Sequence, residues 1–171
     1  LVDDASGSII DAIRRAGLHV NKYRAILPGE TYVPPPPDDR LDPRSLTEEA
    51  LAAKAAARRD DVSWSRFVAG AVEGVSPFAA RHATAAGLPP DAAVDPSDGR
   101  AMAAVVKALS ELTRAAAAGR FSPVVIVDES GRPADFWAWR PAHVAPDRLK
   151  PASNPSAAAD TYYDFRTAAA A

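Results

Sequence analysis

The spacing of apolar and polar residues divides the chain into three stretches. Short apolar runs around glycine- and proline-containing turns fill residues 1–44, helical spacing fills residues 45–119, and strand-like runs return in residues 120–171. This succession predicts an α+β fold. We expect β-hairpins of an incomplete sheet domain, then a four-helix module, then a further hairpin and a last helix.

The first stretch has strand character. Leu1-Val2 and the apolar run from Ile9 to Ile13 flank a polar turn that contains Gly7, which predicts a β-hairpin. Because its first strand would start at residue 1, we expect the chain to be a piece of a longer protein. Prolines 34–37 follow; they cannot donate backbone hydrogen bonds and favour a polyproline II connector. Such a connector is a stiff spacer or a ligand for a proline-binding module.

Helical spacing begins after the connector. Ser45 and Glu48 have the spacing of a capping box, and the alanine-rich stretch that follows predicts a helix up to Arg59. A second helix carries apolar residues at i, i+3, i+4, i+7 and i+8 and is expected to stop at Gly74. That apolar face consists of Trp64, Phe67, Val68, Ala71 and Val72.

Two more helices complete the helical module. The third is expected from Pro77 to about Ala86, and the fourth begins after Asp95-Pro96 or after Asp98 and ends at Gly119. The fourth helix has an apolar stripe formed by Met102, Val105, Val106, Leu109 and Leu112.

The join between the second and third helices is the most informative motif. Gly74 suits a left-handed C-terminal cap, Ser76 can cap the next helix, and Pro77 falls at its first position. The N–H groups that follow point outward and can bind an anion. The residues are close to the helix-hairpin-helix pattern apolar-x-Gly-apolar-Gly-x-x-x-Ala, with Ser76 replacing the second glycine. Gly74, Val75, Ser76 and Pro77 are therefore candidate nucleic-acid contacts, and a tight corner without a ligand is the alternative.

The last stretch returns to strands. Runs from Phe121 to Val127 and from Ala134 to Trp139 flank a turn with Gly131, which predicts a second hairpin. Residues 141–155 read as a polar loop with prolines, and residues 156–171 predict a helix that continues beyond this piece. Trp137 and Trp139 share one strand face and are interpreted as packing residues.

Composition narrows the function. The chain has 171 residues, 47% of them hydrophobic, with a net charge of -2 and a pI of about 5.9, so any nucleic-acid contact requires a local basic patch. One candidate patch is Arg58-Arg59 with Arg66; a solvated helix end is the alternative. There are no cysteines, which favours a reducing cytoplasm, and no apolar run has the roughly 20 residues of a membrane span.

Side chains with catalytic or metal-binding chemistry are scattered. His19, His82 and His143 have no partner at metal-ligand spacing, and the paired aspartates have no nucleophile or base beside them. The sequence therefore predicts a non-catalytic protein without a metal or cofactor.

Four blocks of the sequence occur in the order of a known family. They contain Asn21-Lys22-Tyr23-Arg24 and Leu27-Pro28-Gly29 with Tyr32, Pro34-Pro35, Leu41 and Pro43; Gly74-Val75-Ser76-Pro77 with Ala80-Arg81; the hairpin from Phe121 to Phe136; and Ser156 with Asp160 and Tyr162-Tyr163. In these blocks the chain resembles the NFACT family of ribosome-associated quality-control factors, often labelled fibronectin-binding protein A. It departs from the family at Phe78, His82, Ala157 and Ala159.

The resemblance implies a piece of a larger protein, from the end of its N-terminal sheet domain through the helix-hairpin-helix module to a helix that enters a coiled coil. It implies that the parent binds the large ribosomal subunit and tRNA and supports template-free alanine tailing of stalled chains. Arg81 is carried over as a phosphate partner of the hairpin.

Two other functions remain open at this point. One is a fibronectin-binding, adhesin-like module, as the family's label suggests. The other is a fragment of a DNA-repair glycosylase, which is disfavoured because neither an N-terminal proline nucleophile nor a zinc finger is visible.

Overall fold

The chain forms two compact units. The structure, a computed structural model, describes residues 1–36, 39–89 and 91–169. The units are Leu1–Asp39 and Arg40–Ala171. The proline run lies in the first unit, and its last member, Pro37, lies outside the described residues.

Single bridges between extended residues hold the first unit. The turn predicted around Gly7 is present, since the Gly7 N–H donates to the Asp3 carbonyl and the Asp3 N–H donates to the Ser8 carbonyl. Continuous strands, however, do not form among the described residues of this unit. Each pairing extends over one residue pair only. Ile9 is buried, whereas Ile10 and Ile13 are exposed. The bridged pairs are Val2 with Ile9, Ser8 with Thr31 and Ala16 with Ile26.

The second unit opens with four helices, as the helical spacing predicts. They are α1 (Glu48–Ala56), α2 (Trp64–Ala71), α3 (Pro77–Ala85) and α4 (Gly99–Ala117). All four contribute to one core, whose apolar side chains are removed from solvent. The most deeply buried members are Leu51, Val68, Val72, Ala80, Ala83, Ala101, Met102 and Val105.

The prediction that Ser45 and Glu48 form a capping box at the start of α1 is wrong. Thr47, and not Ser45, is the N-cap residue, and its hydroxyl accepts from the Ala50 N–H at 3.2 Å. The Asp42 carboxylate accepts from the Arg44 N–H, and the Ser45 N–H donates to the Asp42 carbonyl. This turn occupies the residues up to Ser45 and delays the helix.

The helix α2 ends at Ala71, three residues before the expected stop at Gly74. Val72 is extended and pairs with Leu41 in a parallel bridge. The Leu41 N–H donates to the Ala71 carbonyl, and the Glu73 N–H donates to the Leu41 carbonyl. These long-range hydrogen bonds replace the last helical turn, which no local pattern around Gly74 could indicate.

A three-stranded antiparallel sheet follows the helices. Its order is β2 (Pro133–Trp137), β1 (Val124–Val127), β3 (Leu149–Pro151), and the last helix, α5 (Pro155–Ala168), packs against β1 and β2. The hairpin of β1 and β2 is confirmed. The strand β3 was missed in the predicted loop, because Leu149 is its one buried apolar residue and Pro151 ends it.

The sheet has a small core of its own that includes a residue of α3. Val124, Ile126 and Leu149 are buried together, and Phe78 and Val144 pack against them. The Arg148 Nε donates to the Val127 carbonyl at 2.7 Å and ties the residues before β3 to β1. Through Phe78, α3 belongs to both the helical layer and the sheet.

The core predicts a large effect of truncating one side chain. Leu51 is fully buried, so Leu51→Ala should lower the free energy of unfolding by about 2–5 kcal/mol through lost burial and a cavity. Denaturant unfolding measures this change. Lys107→Ala, at an exposed position of α4, serves as the control and should stay within about 0.5 kcal/mol of the parent. A Leu51→Ala loss as small as the control's would show that α1 is not part of the cooperative core.

Candidate nucleic-acid interface

The residues between α2 and α3, Val72 to Ser76, form a tight hairpin, and their geometry agrees with the sequence prediction. Gly74 has a φ of 70°, a left-handed conformation that glycine adopts without steric cost. The Ser76 hydroxyl accepts from the Ala79 N–H at 3.1 Å, and Pro77 is the first residue of α3. The first N–H groups of a helix have no partner inside the helix. In α3 Pro77 has no N–H and the Ala79 N–H is used by the cap, so the Phe78 N–H remains for an anion at this end of the helix.

The hairpin borders a cleft of about 310 Å³. Gly74, Val75 and Ser76 line one side, and residues of the second half of α4 line another. Trp137 and Trp139 complete it, with their ring centroids 5.6 Å apart in an edge-to-face arrangement. The Trp139 Nε1 donates to the Arg120 carbonyl at 3.0 Å, which fixes the orientation of that indole. The hairpin amides are thus placed beside an aromatic pair, a combination that suits a nucleotide chain.

The charges around this cleft have both signs. Glu73 lines the cleft and is exposed, so its carboxylate opposes a bound phosphate. Arg44, next to the lining residue Pro43, is paired with Asp42 at 2.8 Å. Asp42 raises the pKa of the Arg44 guanidinium above its usual value, with a smaller effect from Glu73, so Arg44 lies within the electrostatic reach of the hairpin.

Arg81 lies apart from this cleft. It is exposed on α3, and its Cζ is 5.7 Å from the centroid of the Phe78 ring. It lines a different cavity, together with His143 and Asp91. The structure therefore brings Gly74, Val75 and Ser76 together at one cleft, with Pro77 at the adjoining start of α3, and places Arg81 at another cavity.

Two histidines without a predicted role, His82 of α3 and His143 of the loop before β3, pack against aromatic side chains. The His82 ring lies 5.0 Å from Trp137, and the His143 ring lies 4.5 Å from Phe78, measured between centroids. The His82 Nδ1 accepts from the Ala142 N–H at 2.9 Å and joins α3 to the loop before β3. No sequence spacing indicates this contact, because 60 residues separate its partners.

Burial lowers the pKa of both imidazoles. Desolvation is the largest cause for His82, and Glu111 acts weakly in the opposite direction. For His143, desolvation is again the largest cause, and Arg81 and His82 lower its pKa further. The hydrogen bond from Ala142 requires an unprotonated His82 Nδ1, so folding favours the neutral ring.

The basic patch predicted around Arg58 is reduced by packing. The Arg58 Nε donates to the Asp60 carbonyl, and its Cζ is 5.8 Å from the centroid of the Phe67 ring. The side chain is mostly buried, so its guanidinium covers the core instead of facing solvent. Arg59 and Arg66 are exposed.

The described residues contain neither a metal-binding cluster nor a membrane-spanning helix. Within residues 1–36, 39–89 and 91–169, no cluster of three or more histidine, cysteine, aspartate or glutamate side chains could hold a metal ion. In the same ranges, no helix is long and apolar enough to span a membrane.

The sequence comparisons identify the family. The family described as "NFACT N-terminal and middle domains" matches residues 1–170, and the chain belongs to it. Similar proteins named "Rqc2 homolog RqcH" occur in Streptococcus suis, 45% identical, and in Bacillus subtilis, 35% identical, each over 51 residues. Each match covers 30% of this chain and 9% of the relative. The aligned part is thus a small share of the relatives' length.

A solved structure also aligns with most of the chain. It is the N-terminal domain of fibronectin-binding protein PavA from Streptococcus pneumoniae, with 21% identity and a TM-score of 0.34. The alignment covers 95% of this chain and 49% of that domain.

The hairpin geometry predicts opposite effects of the same substitution at two glycines. Gly74→Ala should lower the free energy of unfolding by about 1–2 kcal/mol, because an L-residue is strained at this φ although the space beside it is open. Gly70→Ala, inside α2 with open space as well, should raise it by about 0.5–1 kcal/mol. Denaturant unfolding of both variants provides the measurement. Equal shifts in one direction would contradict the left-handed cap.

The histidine contacts predict a loss of stability in mild acid. The unfolded chain binds protons near the ordinary histidine pKa of about 6.5, whereas the folded chain binds them at lower pH. The free energy of unfolding should therefore fall as the pH decreases from about 7.5 to about 5.5. Stability curves at several pH values measure this slope. The double variant H82N/H143N should flatten this slope; an unchanged slope in the double variant would contradict the assignment.

Proposed function

We propose that the second unit is an RNA-binding module of a ribosome-associated quality-control protein, and that the α2–α3 hairpin contacts a backbone phosphate. The observation that carries the proposal is the left-handed Gly74 followed by Ser76, which caps α3, and by the Phe78 N–H, which is left over in the first turn of α3. Trp137 and Trp139 beside the hairpin supply faces on which a base can stack.

Family membership supports the wider role. Relatives in the family are named for a ribosome quality-control factor, which suggests the large ribosomal subunit and tRNA as the partners of the parent protein. Within that role this chain is a binding module without catalytic chemistry, working in the cytoplasm. Support for template-free alanine tailing belongs to the parent protein and requires more than this module.

The acidic neighbour of the hairpin offers a sharp test. Glu73→Lys removes a negative charge from the cleft and adds a positive one, so it should strengthen binding to tRNA and to purified large subunits. The slope of log affinity against log salt should become steeper by about one to two counterions. Glu129→Lys changes the net charge equally but lies in the turn between β1 and β2, at the other end of β2 from Trp137, and serves as the matched control.

Filter binding or fluorescence anisotropy over a salt series measures both variants. Affinity for tRNA and large subunits should rise in Glu73→Lys and should not rise in Glu129→Lys. Equal gains for the two variants would indicate nonspecific attraction and contradict a hairpin contact. If the folded, unsubstituted chain binds neither RNA nor large ribosomal subunits, the proposed role as a binding module is contradicted. The binding of fibronectin, measured in the same assay, should not change with either substitution.

A further inference from the structure

A second cavity lies beside the C-terminal half of α3 and shares no lining residue with the hairpin cleft. Its volume is about 590 Å³, within the range of about 300–1,000 Å³ that is usual for sites that take small organic ligands. Its walls come from α3, from Ser65 of α2, from Leu88, Pro89 and Asp91, and from residues 142–146 before β3. The His82–Ala142 hydrogen bond joins two of these walls and keeps them together.

Basic side chains gather at one part of this cavity. Arg81 and His143 both line it, and Arg81 and His82 lie close enough to lower the pKa of His143. The His143 Nδ1 is buried and has no hydrogen-bond partner among the described residues. The Arg81 guanidinium supplies positive charge and several N–H donors, and the neutral His143 ring adds one further donor; together they favour an anionic group with several oxygen acceptors. Two acidic residues lie in the neighbourhood: Asp91 lines the same cavity, and Glu111, which does not line it, acts electrostatically on His82.

The remaining walls suit an apolar ring and a hydroxyl-bearing group. Leu88, Val144 and Pro146 offer apolar surface, and Ala85 leaves room beside them. The Asp91 carboxylate is an acceptor for hydroxyl groups. An anion, a flat ring and hydroxyl groups within one molecule of this size are the features of a nucleotide.

We infer that this cavity binds one nucleotide, with its phosphate at Arg81 and His143, its base against Leu88 and Val144, and its ribose hydroxyls near Asp91. The nucleotide is a free monophosphate or one unit of an RNA strand. Both sources share this chemistry, and the cavity is independent of the hairpin contact proposed above.

The test uses adenosine and uridine 5′-monophosphates and a short single-stranded RNA as probes of the whole chain. Calorimetric titration measures affinity, and the NMR signals of the His143 ring nitrogens report the location. Saturable binding of one monophosphate with a shift of the His143 ring signals is expected. Ala85→Trp, which fills the cavity from an exposed helix position, should abolish it, and Arg81→Gln should weaken it at least about tenfold.

Matched controls separate these effects from misfolding. Ala86→Trp lies at the neighbouring exposed residue off the cavity wall, and Arg100→Gln removes an exposed arginine of α4; both should bind like the parent. The inference is overturned if no monophosphate binds, or if neither Ala85→Trp nor Arg81→Gln reduces binding.

The same titrations distinguish a free nucleotide from a unit of an RNA strand, and the cavity from the hairpin cleft. Competition by the short RNA for the monophosphate site assigns the cavity to an RNA unit, and occupation by the monophosphate alone assigns it to a free nucleotide; either outcome supports the nucleotide site. Glu73→Lys should leave monophosphate affinity unchanged while it alters tRNA affinity. Failure of the cavity site and failure of the hairpin contact are therefore observed in different measurements.

Discussion

Close packing of α3 is the constraint on which the second unit depends. Ala80 and Ala83 are both fully buried and leave only a methyl group each between α3 and its neighbours. Small residues at these positions let α3 contact both α2 and α4 at short range, and each van der Waals contact there adds to the core. A larger side chain at either position would push the helices apart and move every group that α3 carries.

Both candidate sites owe their positions to this helix. Its first residues, capped by Ser76, form the hairpin cleft, and its last turns form a wall of the second cavity. Between the two, Phe78 packs on the sheet core while His82 binds the Ala142 N–H. The sheet is thus attached to the helical layer through the same element that presents the hairpin amides.

The sequence predicts local structure where the interacting residues are close to one another along the chain. Gly74, Ser76 and Pro77 specify the hairpin through backbone preferences that act within a few residues, and the period of α4 predicts its buried stripe. Features that depend on distant partners were missed. Leu41 ends α2 early, β3 exists because β1 has a second edge to pair, and the cavity beside Arg81 joins segments 60 residues apart. Arg81 was therefore expected at the hairpin and lies at another cavity.

Backbone amide NMR of the 171-residue chain, with tRNA added stepwise, would show whether the α2–α3 hairpin contacts RNA. The largest early changes should occur at the N–H groups of Gly74, Val75, Ser76, Phe78 and Ala79 and at the indole N–H of Trp139, and increasing salt should reverse them. If signals elsewhere in the chain change and saturate while these signals stay in place, this prediction is contradicted, because the RNA then binds without the hairpin.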